Sequence, residues 1–478
     1  MNKITIDKNK NIPLYMQVYS QIKRFIENGS LPGGYKLPTI RSLAKELGVN
    51  NITIINAYKL LEQNGYVYTK VGSGTYVCED IKKDDEMEEN IKSLDQGQFA
   101  LRKGMINFAS SSPNPELFPV EDFRELINRV LKRDGGYAFE YQDTKGYKPL
   151  RESVKEFVKK DQIFTSIDNI QIISGGQQGI DVVSKALINF EDAIIAERPT
   201  YSWALASFES RGAEILEVEL QKDGIDLEEL EDKLKKFKPR FIYVIPNFHN
   251  PTGITYSEEK KKKLISLAEK YETYVVEDDF ASELSFTKEK TLPLKAYDKH
   301  DRVIYIKSFS KVYMPGLRLG FIIAPERFVS SFLKAKYVSD LSTSGLMQRA
   351  FDLYLRENIW VKHVESIKQV MYERFSEMGR RLENLKNYTE FEHPKGGFYF
   401  WLKLKNNLSA KSLYSKCLDR NLMIVPGDIF FMGKKENSFV RLSFASCEVK
   451  EIAKGIEILG EILKGYFDEN NNVYVPII

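Results

Sequence analysis

A small α+β head followed by a large α/β body is the architecture that the sequence predicts. Three observations predict it. Helix-period apolar patterns open the chain and run into a short hairpin. From about residue 104 onward, strand-like and helical segments alternate, the pattern of a mainly parallel sheet flanked by helices. Between the two lies an acidic stretch poor in aromatics, Glu79 to about Lys103, with Asp84-Asp85-Glu86 and Glu88-Glu89 inside it. Such a composition predicts a mobile linker.

In the head, Pro13-Leu14-Tyr15-Met16-Gln17 opens a helical pattern that continues through Val18, Ile22, Phe25 and Ile26 and stops at the C-cap signal Asn28-Gly29. Thr39 in Leu37-Pro38-Thr39 is the N-cap of a second short helix, with Ile40, Leu43, Ala44 and Leu47 on one face. Gly48-Val49 makes a turn. A third helix is expected from about Asn51 to Asn64, its apolar positions filled by Ile54, Ile55, Ala57, Tyr58, Leu60 and Leu61. Tyr66 to Lys70, Val71-Gly72-Ser73-Gly74 and Thr75-Tyr76-Val77 then read as a hairpin. Helix, turn, helix and wing is a nucleic-acid-reading arrangement. Residues 1–77 carry ten Lys/Arg against four Asp/Glu, a net of +6 in a chain of +3 overall, so the remainder is −3. A basic head on a mildly acidic body is the electrostatic footprint of a nucleic-acid partner.

In the body, Lys311 follows the apolar run Val303-Ile304-Tyr305-Ile306 in Ser308-Phe309-Ser310-Lys311, and Arg318 follows in Pro315-Gly316-Leu317-Arg318-Leu319-Gly320. Taken singly, a lysine at a strand end is an ordinary surface residue. Flanked by hydroxyls and an arginine, it suits a Schiff base with pyridoxal phosphate, with Ser308, Ser310 and Arg318 holding the phosphate. Three upstream segments strengthen that reading. Ile170 to Ile173 runs into Ser174-Gly175-Gly176-Gln177-Gln178-Gly179 and a helical pattern, a strand–glycine loop–helix cradle for an anion. Asn250-Pro251-Thr252-Gly253 follows the strand-like Phe241 to Ile245. Tyr274-Val275-Val276 ends in Glu277-Asp278-Asp279, where a buried carboxylate can pair with a protonated pyridine nitrogen. Tyr201, in Arg198-Pro199-Thr200-Tyr201, can stack on a planar ring.

These motifs, together with Pro394 to Trp401 and Phe439 to Phe444, make residues 104–478 resemble the fold type I pyridoxal-phosphate enzymes, in the aminoadipate/kynurenine aminotransferase branch. The resemblance implies a large parallel or mixed-sheet domain and a smaller C-terminal α/β subdomain at about 346–478, reached through a helix-rich segment from about Pro325 to Asn387. It implies pyridoxal 5′-phosphate as cofactor and Lys311 as the catalytic, aldimine-forming lysine. Asp278 then meets the pyridine nitrogen, Asn250 the ring O3′ and Tyr201 the ring face. Gly176 and Gln177 bind phosphate through their backbone, and Tyr141 reaches the phosphate of a partner subunit. Arg441 clamps a carboxylate, for which a planar bidentate guanidinium is suited. One departure stands out: the branch carries a tyrosine two or three residues after the aspartate, and here those positions are Phe280 and Ala281.

The head, over about residues 11–78, resembles GntR-family winged helix–turn–helix domains through Leu37-Pro38-Thr39-Ile40-Arg41 to Val49 and Gly72-Ser73-Gly74-Thr75. Arg41, Asn51, Thr53 and Lys70 are then the DNA contacts, with Gly72 at the wing tip. Asn51 stands where the family usually has arginine. A winged helix (1–78), a linker (79–103) and an aminotransferase-like domain (104–478) together resemble the MocR type of transcriptional regulator. That implies a head-to-tail homodimer on a duplex DNA operator, responding to pyridoxal phosphate or an amino-compound effector. A working aminotransferase with an accessory head is the alternative. Three cysteines without pairing or metal spacing, no apolar run of the ~18 residues a membrane helix needs and no signal-peptide core lead us to expect a cytoplasmic protein without metal or membrane.

Overall fold

The computed structural model describes residues 4, 6, 13–27, 30–63, 66–70, 73–78, 104–406, 408–432 and 437–471. They fall in two compact units, within Met1–Ile91 and within Lys92–Ile478. No described helix is long and apolar enough to cross a membrane.

The first unit holds α1 (Leu14–Glu27), α2 (Ile40–Leu47) and α3 (Asn51–Gln63), then the hairpin β1 (Val67–Lys70) and β2 (Gly74–Val77). Thr39 starts α2 by accepting a hydrogen bond from Ser42 N at 3.2 Å. Gly48 ends it at φ 62°, a left-handed conformation that costs glycine little. Val18, Ile22, Leu43, Ile54, Ala57 and Leu61 meet in one core, which is why the apolar stripes of the three helices face each other. The wing strands are antiparallel, with Thr69 opposite Thr75. The helix stop expected at Asn28-Gly29, the residue Asn64 and the hairpin tip Val71-Gly72 lie outside the described residues, as does the linker expected at 79–103.

The second unit is built on an eight-stranded sheet: β4 (Ile170–Ile173), β5 (Ala193–Arg198), β6 (Glu214–Gln221), β7 (Gly224–Ile225), β8 (Phe241–Val244), β9 (Tyr274–Asp279), β10 (Val303–Ser308) and β11 (Gly320–Ile323). Their spatial order is β4-β11-β10-β9-β8-β5-β6-β7. Pairings from β10 through β9, β8 and β5 to β6 are parallel. β11 runs antiparallel to both neighbours. It lies tight against β10: a side chain at Gly320 would meet the Lys307 carbonyl at 2.6 Å.

A second, antiparallel sheet orders β12 (Thr389–Glu390), β13 (Tyr399–Leu404), β16 (Phe439–Ser443) and β15 (Val425–Pro426). Between the sheets come the helices Val329–Asp340, Gly345–Arg356 and Ile359–Leu382. Gly345–Arg356 packs on the helices Val120–Asp134 and Lys148–Lys159 of the large part, where Ser153 Oγ donates to Asp352 at 2.6 Å. β3 (Ile106–Asn107) pairs in parallel with the distant β14 (Leu422–Met423). The first described strand of this unit is thereby stitched to the C-terminal part.

Leu61 is fully buried in the head core. Leu61→Ala should lower the head's stability by roughly 2–5 kcal/mol, read as a fall in its urea midpoint.

Candidate functional site

The parallel strands β4, β5, β8, β9 and β10 end on one edge of the sheet, so the residues that follow them converge. Their loops enclose a cavity of about 470 Å³. Gly176 and Gln177 arrive after β4, Tyr201 after β5, and Ile245 and Asn250 after β8. β9 ends in Asp278, with Phe280 next to it, and β10 leads into Ser308, Ser310, Lys311 and Arg318. Tyr141 is not among the lining residues; it stands 85% exposed at the surface.

One end of the cavity is an anion cradle. The helix Gly176–Leu187 starts at Gly175, φ 91°, without a side-chain cap. Arg318 lies against this turn so closely that a Cβ on Gly175 would meet its guanidinium at 2.6 Å. Its Nη2 donates to the Ser174 carbonyl at 3.0 Å and its Nη1 to Ser310 Oγ at 3.4 Å. The Gln177 side chain is committed elsewhere, donating to Trp203 O at 3.2 Å and Ser207 Oγ at 2.9 Å. A helix N-terminus, two hydroxyls and a guanidinium together favour a phosphate-like anion.

The opposite wall carries Asp278. Successive side chains on a strand point to opposite faces, so Asp278 faces the cavity while Asp279 faces away. Asp279 meets Lys307 Nζ at 3.1 Å, and Lys307 also donates to Glu283 at 2.8 Å. Asp278 has one close neutral donor, the Tyr243 hydroxyl at 2.7 Å. Burial pushes its carboxyl up to about 7, against the lowering effect of that hydrogen bond. A carboxyl at such a value gains by meeting a cation.

Lys311 Nζ donates to Ser111 Oγ at 2.9 Å. Arg441, on β16, is fully buried. It donates through Nη1 to Asn250 Oδ1 at 2.8 Å and through Nη2 to the Ala109 carbonyl at 3.1 Å. Its guanidinium carbon lies 4.5 Å from the Tyr399 ring centroid and 5.0 Å from that of Phe430. Because Arg441 takes the Asn250 oxygen, the amide nitrogen is the group left to serve a bound oxygen atom.

Four contributors were missed by the sequence reading. Ser111 and Tyr399 line the cavity from segments far apart in the chain. Tyr243 lies inside an apolar strand and carried no signal of its own. Glu197, fully buried at the end of β5, accepts from Tyr256 Oη at 2.6 Å, Ile245 N at 2.9 Å and His249 Nε2 at 3.1 Å. It fixes the turn that carries Asn250. An acid inside Ala193-Ile194-Ile195-Ala196-Glu197 was the available clue.

In the head, Arg41 and Asn51 are exposed and Thr53 is half-buried near the start of α3. Lys70 is exposed on the wing, its Nζ 5.6 Å from the Tyr68 ring centroid and 5.7 Å from that of Tyr76. Gly72 lies outside the described residues. Among the described residues, no group of three or more His, Cys, Asp or Glu is placed to hold a metal ion.

These two surfaces define a class: a DNA-binding head of the regulatory type joined to an aminotransferase-like body. Comparison with known families agrees. Residues 103–459 match the aminotransferase class I and II family, and residues 14–77 match the bacterial regulatory proteins of the gntR family. The chain is 30% identical over 474 residues to the uncharacterized HTH-type transcriptional regulator YdfD of Bacillus subtilis, covering 96% of this chain and 98% of that one. It is 29% identical to the regulator YdcR of Escherichia coli, covering 94% and 99%. Among solved structures, its body is similar to Thermus thermophilus LysN, an α-aminoadipate aminotransferase complexed with N-(5′-phosphopyridoxyl)-L-leucine: TM-score 0.72, 34% identity, 77% of this chain and 94% of that one. The kynurenine aminotransferase of Pyrococcus horikoshii gives a TM-score of 0.75 at 30% identity over 80% and 94%. The chain belongs to the HTH-type transcriptional regulators of MocR type, in which a GntR head is fused to a class I and II aminotransferase domain.

The buried carboxyl of Asp278 makes ligand-free stability depend on pH. Its folded value, about 7, lies above the ordinary 3.8. The stabilising contribution of its proton is therefore full below the ordinary value and is lost as pH rises through about 7. Asp278→Asn does not ionise, so its stability advantage over the wild type should widen by roughly 2–4 kcal/mol between pH 4.5 and pH 8. Urea unfolding of the ligand-free chain at the two pH values measures this.

Proposed function

We propose that the chain is a pyridoxal-phosphate-responsive transcriptional regulator: the body binds the cofactor, alone or joined to an amino compound, and its state biases how the head engages a duplex DNA operator. The observation that carries this is the convergence of Lys311, Asp278, Asn250 and Arg318 on one cavity in a chain whose first unit matches the gntR family.

The residues present fit the cofactor. Gly176, Gln177, Ser308, Ser310 and Arg318 hold its phosphate. Asp278 would hold the ring nitrogen as a pyridinium, a cation that would favour the charged form of this buried carboxyl. Tyr201 would face the ring from the cavity wall, and the Asn250 amide nitrogen would be the donor for its phenolic oxygen. When bound, the cofactor supplies an aldehyde that forms a covalent bond with an amine. Lys311 is the amine within the cavity, and Ser111 holds its Nζ. Arg441 takes the carboxylate of an amino-compound effector by giving up Asn250 Oδ1 and the Ala109 carbonyl.

Phe280 supports sensing over turnover. It lines the cavity at 8% exposure, where a tyrosine would offer a hydroxyl to the phenolic oxygen. Tyr141 serves the phosphate of a partner subunit in a head-to-tail dimer. Its 85% exposure, with Tyr137 at 70% and Phe139 at 71% beside it, supports a covered surface there. A working aminotransferase would use the same Lys311 and Arg441, and turnover with an amino donor and a 2-oxo acid separates that reading from this one.

The wild type should be yellow, and borohydride should fix the label on Lys311. Lys311→Ala should lose the visible band while keeping its thermal transition. Label on another lysine would contradict the assignment. Arg441→Lys keeps the charge but loses the planar fork. In a gel-shift series with carboxylate-bearing amino compounds, it should reduce the ligand-dependent change in DNA affinity at least fivefold, with cofactor colour retained. A full response at the same concentration would remove Arg441 from the trigger.

A further inference from the structure

The first turn of α3 presents an apolar side chain where a recognition helix meets base edges. Asn50 caps this turn: its Oδ1 accepts from Ile52 N at 3.0 Å and its carbonyl accepts from Thr53 N at 2.9 Å. The cap fixes the direction of Asn51 and Ile52. Every third or fourth residue after them, Ile54, Ala57 and Leu61, is fully buried. Ile52 is 61% exposed on the other face. Nothing local favours it there, since a β-branched residue loses side-chain freedom in a helix.

A recognition helix contacts bases with its N-terminal residues. In the major groove, the thymine C5-methyl group is the apolar feature, and asparagine pairs in bidentate fashion with N6 and N7 of adenine. Arginine, which reads guanine, is absent from this turn: Asn51 and Ile52 stand side by side. We infer that Ile52 reads a thymine methyl group and Asn51 an adjacent adenine, so the operator half-site carries an A·T step under the start of α3. The inference rests on the head being a DNA reader and adds what it reads.

The test uses full-length wild-type chain and a duplex that this chain enriches from a random pool. Each thymine of the enriched half-site is replaced in turn by deoxyuracil, which removes only the methyl group. One replacement should weaken wild-type binding roughly three- to fivefold, the worth of one buried methyl group. Ile52→Ala should bind thymine and uracil duplexes equally at that position. Three outcomes overturn the inference: an enriched half-site without an A·T step, affinities within twofold for every uracil duplex, or an undiminished uracil penalty in Ile52→Ala. The uracil series needs no variant, so misfolding of Ile52→Ala leaves the test intact. Failure of the wild type to bind any duplex at low salt sinks the DNA-reading head itself, and the inference with it.

Discussion

A carboxylate held away from water at the end of β9 is the constraint around which the body is arranged. Asp278 has the Tyr243 hydroxyl as its close neutral donor, and burial raises its carboxyl to about 7. A buried carboxylate with only a neutral donor beside it still lacks a compensating charge, which is costly in a low-dielectric site. Under the proposed function, the ring nitrogen of the cofactor would be the cation that relieves this cost. The second acid of the pair shows the contrast: Asp279 meets Lys307 on the far face of the same strand. Two adjacent carboxylates thus have opposite settings, one satisfied and one poised.

Much of this site was legible because a parallel sheet puts its chemistry at strand ends. An apolar run that stops at Ser308-Phe309-Ser310-Lys311, Asn250-Pro251 or Glu277-Asp278 marks such an end in the sequence. If several runs share one sheet, their ends share one edge, and the cavity follows. The same holds for Gly175, whose φ of 91° and contact with Arg318 explain why a glycine opens the helix there.

The remainder depended on pairings between distant parts of the chain. Ser111 reaches Lys311 because β3 pairs with β14, three hundred residues downstream in order of magnitude, and no local pattern announces that partner. Tyr243 is an aromatic in a fully buried strand and reads as core until its hydroxyl is seen on Asp278. In the head, helix periodicity marked Val18, Ile22, Leu43, Ile54, Ala57 and Leu61, which form the core, but also Ile55 and Leu60, which are half-buried outside it, and it gave no weight to Ile52, whose meaning comes from its exposure rather than its type.

The segment 106–112 ties these levels together. It is fastened to the C-terminal part through β14, supplies the Ala109 carbonyl to Arg441 and places Ser111 on Lys311. Under the proposed function, a ligand that replaced either contact would act on the first described stretch of chain that follows the head in sequence. Any such ligand shifts an equilibrium only by its differential affinity for the two states, on the order of 1–3 kcal/mol in known couplings. The most direct measurement is the DNA affinity of the full-length chain at fixed salt, with and without saturating pyridoxal phosphate, for the wild type and Lys311→Ala. A cofactor-dependent change of roughly fivefold or more is expected in the wild type and none in Lys311→Ala. Equal affinities for the wild type in both conditions, with cofactor bound at Lys311 and candidate amino compounds without effect, would contradict it.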